Sequence, residues 1–72
     1  MTDRQLQRAF SVACVEYGFC IPVADRESIS AVPNLDAETF AQRVIEAEGL
    51  DATNSQWTAV LVRVFRESLG KP

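Results

Sequence analysis

The sequence predicts an all-α domain, a small antiparallel three-helix bundle with a partly ordered apolar crossover between its first and second helices. Apolar side chains recur in three segments with the three- and four-residue spacing of one helical face. Each segment is flanked by residue types that start or end helices. A chain of 72 residues is long enough for one domain and too short for two, so residues 1–72 are expected to form a single unit.

The first helix is predicted over residues 3–17. Thr2 or Asp3 can cap its start, because a side-chain oxygen there accepts a hydrogen bond from a free backbone N–H. Gly18 is placed to end the helix, since glycine readily adopts the left-handed conformation that follows many helices. The apolar stripe of this helix consists of Leu6, Ala9, Phe10, Ala13, Cys14 and Tyr17.

The second helix is predicted over residues 37–48. Asp36 is expected at its N-cap, where a carboxylate oxygen accepts from the first free amides. Gly49 fits the position just after the helix, and with Leu50 it would form a Schellman motif. The buried stripe consists of Phe40, Ala41, Val44 and Ile45.

The third helix is predicted over residues 54–69, where the apolar periodicity is the strongest in the chain. Thr53 and Gln56 have the spacing of a capping box, and Gly70 is placed to end the helix. The core of the bundle is predicted from all three stripes. Its members are Leu6, Phe10, Phe40, Val44, Trp57, Leu61, Val64 and Phe65.

The crossover between the first two helices, residues 18–35, is too apolar for a plain solvated loop. Pro22 and Pro33 bracket its middle and prevent longer regular structure. One or two helical turns are expected there, as a short fourth helix that Asp25 would cap. The apolar residues of the crossover are Phe19, Ile21, Val23, Ile29, Val32 and Leu35.

The residue types argue against an enzyme. The chain has no histidine, and no motif places a nucleophile beside a base. Cys14 and Cys20 are too few and too close together for the disulfide framework of a secreted protein, so free thiols are expected. They cannot complete a zinc site without histidine, and no phosphate-binding glycine loop occurs. The sequence therefore predicts a non-enzymatic protein without a metal or cofactor.

The sequence also predicts a cytoplasmic protein that does not contact a membrane. No segment approaches the roughly 20 consecutive apolar residues of a membrane helix. The N-terminal residues lack the basic region followed by an apolar region that defines a secretory signal.

Charge is distributed unevenly along the chain. Residues 25–51 carry seven acidic and two basic side chains, a net charge of −5. This segment is either an ordinary solvated helix face or an acidic surface that meets a basic protein partner. On the second interpretation the partner-binding residues are Glu38, Glu46, Glu48 and Asp51.

Three valines offer an alternative binding surface. Val12 and Val15 lie off the stripe of the first helix, and Val62 lies off that of the third. Either the crossover covers Val12 and Val15 while Val62 is a single exposed valine, or these residues form an apolar patch for a partner. A second copy of the chain is one partner that such a patch would fit.

The second and third helices also allow a helix-turn-helix interpretation, with Gln56 and Thr58 among the residues offered to DNA bases. The acidic turn before the third helix argues against it, because phosphate contacts supply much of the affinity for DNA. The sequence thus predicts a small protein–protein interaction module, an adaptor, inhibitor or accessory subunit. A DNA-binding regulator is the alternative.

Overall fold

In the computed structural model, which describes residues 2–50 and 55–70, four α-helices follow one another along the described chain. No strand occurs in these residues, so the all-α class is confirmed. The predicted spans agree with the three longer helices to within one residue at every described end. The helices are α1 Asp3–Tyr17, α2 Val23–Ser30, α3 Ala37–Ala47 and α4 Ser55–Leu69.

The ends of α1 are fixed by local hydrogen bonds, as predicted. The N–H of Gln5 donates to the hydroxyl of Thr2 at 3.2 Å, and the N–H of Thr2 donates back to the Gln5 side chain at 2.8 Å. Gly18 adopts a left-handed conformation with φ of 79° and donates its N–H to the carbonyl of Cys14 at 3.0 Å. Glycine tolerates this conformation because it lacks a Cβ atom. The chain therefore turns sharply after Tyr17.

Both ends of α3 also follow the prediction. The N–H of Thr39 donates to Asp36 Oδ1 at 2.7 Å, which identifies Asp36 as the N-cap. Gly49 is left-handed with φ of 75°, and the N–H of Leu50 donates to the carbonyl of Ile45 at 3.0 Å. This bond is the longer-range of the two that define a Schellman motif.

The start of α4 is less fully described than its end. The predicted capping box pairs Thr53 with Gln56, and Thr53 lies outside the described residues. At the other end, the N–H of Gly70 donates to the carbonyl of Arg66 at 3.3 Å. The helix therefore ends just before Gly70, the residue predicted to end it.

The crossover contains α2, a helix of eight residues between Pro22 and Pro33, in agreement with the one or two turns expected. The predicted cap at Asp25 was wrong, because the helix begins at Val23 and Pro22 occupies the N-cap position. Proline has its φ fixed near the value needed to enter a helix, so the turn can start before the acidic residue. Asp25 lies in the first turn, where its charge suits the helix dipole.

The core forms around Phe40. Its ring centroid lies 5.5 Å from that of Phe10 and 5.2 Å from that of Phe65, so α1, α3 and α4 meet at one aromatic cluster. Every predicted core residue is buried except Trp57, which is half-buried. Trp57 packs at the edge of the core, with its ring 5.4 Å from that of Phe19. The side chains with almost no exposed surface include Phe40, Val44, Ile45 and Leu61.

The helices do not contribute equally to this packing. α4 packs most extensively against α3 and then against α1, whereas α2 makes few contacts with either neighbour. Gln5 at the start of α1 donates its side-chain amide to the carbonyl of Leu69 at the end of α4, at 3.1 Å. Phe19, just after α1, contacts Trp57 near the start of α4. The radius of gyration is 10.8 Å, close to the roughly 11 Å expected of a compact domain of this length.

The expectation of free thiols was wrong, because Cys14 and Cys20 form a disulfide. The left-handed Gly18 turns the chain back along the last turn of α1 and brings the two Cα atoms to 4.2 Å. The number and spacing of the cysteines do not indicate this bridge, because it depends on the helix-ending glycine between them, which places the two side by side.

Candidate interaction surfaces

The predicted acidic surface is divided in the structure. Glu38 and Glu46 are exposed and lie eight residues apart on α3, which places them on a similar side of the helix about 12 Å apart along its axis. Glu48 is half-buried at the C-cap of α3, and Asp51 lies outside the described residues. The described part of this surface is therefore the outer side of α3.

Glu38 has a partner of opposite charge. One of its carboxylate oxygens lies 3.6 Å from the guanidinium of Arg66, and both side chains are mostly exposed. Such a pair contributes little to folding in water. It does lower the net negative charge at the start of α3.

Glu46 lines a groove between α2 and α3, which we call the α2–α3 groove. Asp25 lines the same groove, so acidic residues of two different helices share it with Arg43. Sequence reasoning missed Asp25 as a binding residue because it was assigned to helix capping. The groove has a volume of about 210 Å³ and is lined by Asp25, Ser28, Ile29, Arg43, Glu46 and Ala47.

The three predicted valines do not lie together on one exposed patch. Val12 and Val62 are partly buried and pack against the core. Val15 is 80% exposed and lies at the rim of a groove of about 390 Å³, together with Cys14, Cys20 and Ile21. We call this second site the disulfide groove.

Arg26 lies between two grooves on the α1 side of α2. It lines the disulfide groove and also a groove of about 550 Å³ that contains Asp3, Val23 and Glu27. Its Nε atom is buried and has no hydrogen-bond partner in the described structure. No local pattern in the sequence indicates a role for this arginine, because its position depends on how α2 packs.

Two ionisable groups are tuned by hydrogen bonds that stabilise the fold. The N–H of Thr39 donates to the Asp36 carboxylate and lowers the pKa of Asp36. Arg63 donates to the hydroxyl of Tyr17 at 2.9 Å, and this bond raises the pKa of the Arg63 guanidinium. Both groups are therefore charged near neutral pH. Asp36 caps the start of α3, and Arg63 links α4 to Tyr17 at the end of α1.

The residues of the DNA-binding alternative are only partly described. Gln56 is exposed and Thr58 is half-buried in the first turns of α4, while residues 51–54 lie outside the described ranges. Within residues 2–50 and 55–70, no three acidic or cysteine side chains are grouped closely enough to hold a metal ion. None of the helices in that part of the chain has the length and apolar character to cross a membrane.

No protein-family model, curated protein or solved structure matches this chain. Its function must therefore be inferred from its own residues.

Proposed function

We propose that this protein is a non-enzymatic protein–protein interaction module that binds a basic segment of a partner protein at the α2–α3 groove. One observation supports the proposal most strongly. Asp25 and Glu46, 21 residues apart in sequence, line the same groove. Ile29 and Ala47 add apolar lining to the groove, and Arg43 leaves it with an excess of one formal negative charge.

The size of the groove favours a side chain over a small molecule. Its volume is about 210 Å³, whereas sites for small ligands usually measure at least about 300 Å³. A lysine or arginine of a partner protein suits this space. Its charged end can meet Asp25 and Glu46 in charge-assisted hydrogen bonds, and its aliphatic stem can lie along the apolar residues.

The charge of the chain favours the same type of partner. The formal net charge is −3, and the acidic residues are concentrated between residues 25 and 51. Attraction between oppositely charged surfaces raises the rate of association and excludes like-charged partners. Glu46 keeps its negative charge on the exposed side of α3 and Glu48 adds to it at the C-cap, whereas Glu38 pairs with Arg66.

The proposal treats the three longer helices as the predicted antiparallel bundle. The contacts of Gln5 with Leu69 and of Phe19 with Trp57 support it, because they join opposite ends of α1 and α4. Such a bundle is a rigid support for α2. It needs no cofactor or metal, and the exposed Val15 on its far side offers a second contact, to a partner or to another copy of the chain.

Charge reversal at Glu46 tests the proposal. Wild type, Glu46→Lys and Glu16→Lys are immobilised and exposed to an extract of the source organism at two salt concentrations, and retained proteins are identified by mass spectrometry. Glu16→Lys is the matched control, since Glu16 is exposed on α1 and undergoes the same change of charge. We expect a basic protein that is retained by wild type and the control, released by salt, and lost with Glu46→Lys.

Equal retention by all three baits would contradict the proposal, provided that circular dichroism shows the same helical content for each. A gel shift with generic duplex DNA tests the alternative function. A shift of the duplex by the wild-type protein that weakens as salt is added would favour a DNA-binding regulator instead.

The proposed compartment is the cytoplasm, and the Cys14–Cys20 bridge makes this part of the proposal testable. Disulfides persist mainly in oxidising compartments, whereas cytosolic thiols are kept reduced. Alkylation in intact cells, before lysis, should label both cysteines if the protein is cytoplasmic. Absence of label would place the protein in an oxidising compartment.

A further inference from the structure

The Cys14–Cys20 disulfide lies at the surface of the molecule. Cys20 is exposed and Cys14 is half-buried, and both line the disulfide groove beside Val15. A bridge sealed within a core is protected from reagents, but this groove is open to solvent at its rim, where Val15 is 80% exposed. A small thiol can therefore approach the sulfur atoms without unfolding the chain.

A cationic residue lines the same groove as the bridge. Arg26 lines the same groove, and its Nε atom is buried without a hydrogen-bond partner in the described residues. A nearby guanidinium stabilises a thiolate relative to a thiol, and thiolates are the species that react in disulfide exchange. The groove therefore has a positive charge available for the anion that forms when the bridge opens.

The two sulfur atoms differ in their surroundings. Cys20 lies just before the start of α2, where the helix dipole favours negative charge, and it is the more exposed of the two. Cys14 lies in the last turn of α1, where the dipole disfavours negative charge. Its greater exposure makes Cys20 the sulfur that an external thiol reaches more readily, and the electrostatics favour Cys20 as a thiolate once the bridge has opened.

The bridge also holds a weakly packed part of the fold. Of the eight residues of α2, all of them described, Ile29 alone is buried. Phe19 and Ile21 anchor the segment that leads into α2, and the disulfide is its covalent attachment to α1. Opening the bridge therefore removes one of the few constraints on α2.

We propose that the Cys14–Cys20 bridge is a site of reversible thiol–disulfide exchange with a small thiol of the glutathione type, and that Cys20 is the residue attacked. The thiolate of the small molecule forms a bond to Cys20 Sγ, and the bond between the two protein sulfurs breaks. Cys14 leaves as a thiolate and takes a proton from water. A second small thiolate then attacks the small-molecule sulfur of the mixed disulfide. This step releases Cys20 as a thiolate and forms the oxidised small molecule.

This proposal goes beyond the binding function and does not depend on it, because exchange can be measured without a protein partner. The folded chain is equilibrated in buffers of reduced and oxidised glutathione, quenched with acid, alkylated and weighed by intact mass spectrometry. We expect complete conversion to a form with two alkyl groups under reducing conditions and recovery of the bridge under oxidising conditions, with helical circular dichroism retained throughout.

Single-cysteine variants identify the reactive sulfur. Cys14→Ser leaves Cys20 alone, and Cys20→Ser leaves Cys14 alone. With oxidised glutathione, we expect the mixed disulfide to form about tenfold faster on Cys20 than on Cys14. Arg26→Gln should slow reduction of the wild-type bridge, whereas Arg8→Gln, the same change at an exposed position of α1 outside both grooves, should leave the rate unchanged.

Two results would overturn the proposal. A bridge that resists reduced glutathione in the folded chain, and opens only after denaturant is added, would be a sealed structural link. A mixed disulfide that is trapped by acid early in reduction and carries the small thiol on Cys14 instead of Cys20 would remove the assignment to Cys20.

Discussion

The α3–α4 pair and α2 are helices of the same small protein, but they are held in place by different means. α3 and α4 bury a continuous set of side chains, including the fully buried Phe40 and Leu61. α2 buries Ile29 and otherwise depends on the anchors that precede it and on the Cys14–Cys20 bridge. Close packing makes the first pair a cooperative core.

The difference indicates where a change of state can occur without unfolding the protein. Segments with few buried apolar contacts open locally at a lower free energy than the core. Both the α2–α3 groove and the disulfide groove are built partly from α2 or from the segment before it. The proposed functions therefore lie on the less firmly packed part of the molecule.

The largest expected effect is that of Phe40→Ala, in the α3–α4 pair. Phe40 is fully buried between two other rings, and removing such a side chain lowers the free energy of unfolding by about 3 to 5 kcal/mol. Urea denaturation followed by circular dichroism measures the change. Val15→Ala is the exposed control and should change stability by less than about 0.5 kcal/mol. A loss below about 1 kcal/mol for Phe40→Ala, the average for point substitutions of all kinds, would show that the core does not depend on this cluster.

Ile29→Ala should have a smaller effect, at the lower end of the range for such truncations, about 2 kcal/mol. Ile29 is the buried residue of α2, so amides of α2 should exchange faster while those of α4 stay protected. Val23→Ala is the control, since Val23 lies in the same helix and is 57% exposed. Loss of protection throughout the protein would contradict the comparison, because it would make α2 part of the cooperative core.

Asp36→Ala removes the N-cap of α3 and should lower the urea midpoint at neutral pH. The folded-state pKa of Asp36 lies below the ordinary value of 3.8 because Thr39 donates to the carboxylate. Its stabilisation is therefore present above pH 3.8 and lost as the pH falls through the lower, folded-state value. Asp36→Asn keeps an acceptor without titrating, so it should retain much of the stability and lose this acid-dependent part. A midpoint unaffected by either substitution would assign the cap to another residue.

The smallest expected effect is that of Glu38→Gln, which removes the ion pair with Arg66. Both side chains are mostly exposed, so the free energy of unfolding should change by less than about 0.5 kcal/mol. Arg66→Gln should behave in the same way, and the double variant should add nothing further. A larger loss in urea denaturation would show that this surface pair links α3 to α4 in a way that its exposure does not indicate.

The sequence was informative where local rules decide the structure. The stripes of α1, α3 and α4 and the caps at Thr2, Asp36 and Gly49 depend on residues within one or two turns of each other. The protein–protein function, by contrast, stays a prediction, since no feature of the fold tests it.

The sequence was less informative where long-range packing, or two competing local signals, determine the structure. The start of α2 depends on the choice between Pro22 and Asp25, which both suit a helix start. The disulfide depends on the path of the chain after Gly18, and the exposure of Trp57 depends on which residues of other segments pack against the first turns of α4. Asp25 and Glu46 line the same groove because α2 packs against α3, and no local pattern in the sequence indicates this packing.

Hydrogen exchange in the oxidised and reduced states tests the central claim most directly. The claim is that the Cys14–Cys20 bridge stabilises α2 while packing alone stabilises the α3–α4 pair. Amides of residues 23–30 should exchange at least about tenfold faster after reduction, which corresponds to a loss of about 1.4 kcal/mol in local stability. Amides at the centres of α3 and α4 should keep their protection. Equal acceleration in all helices, or no change in α2, would contradict the account.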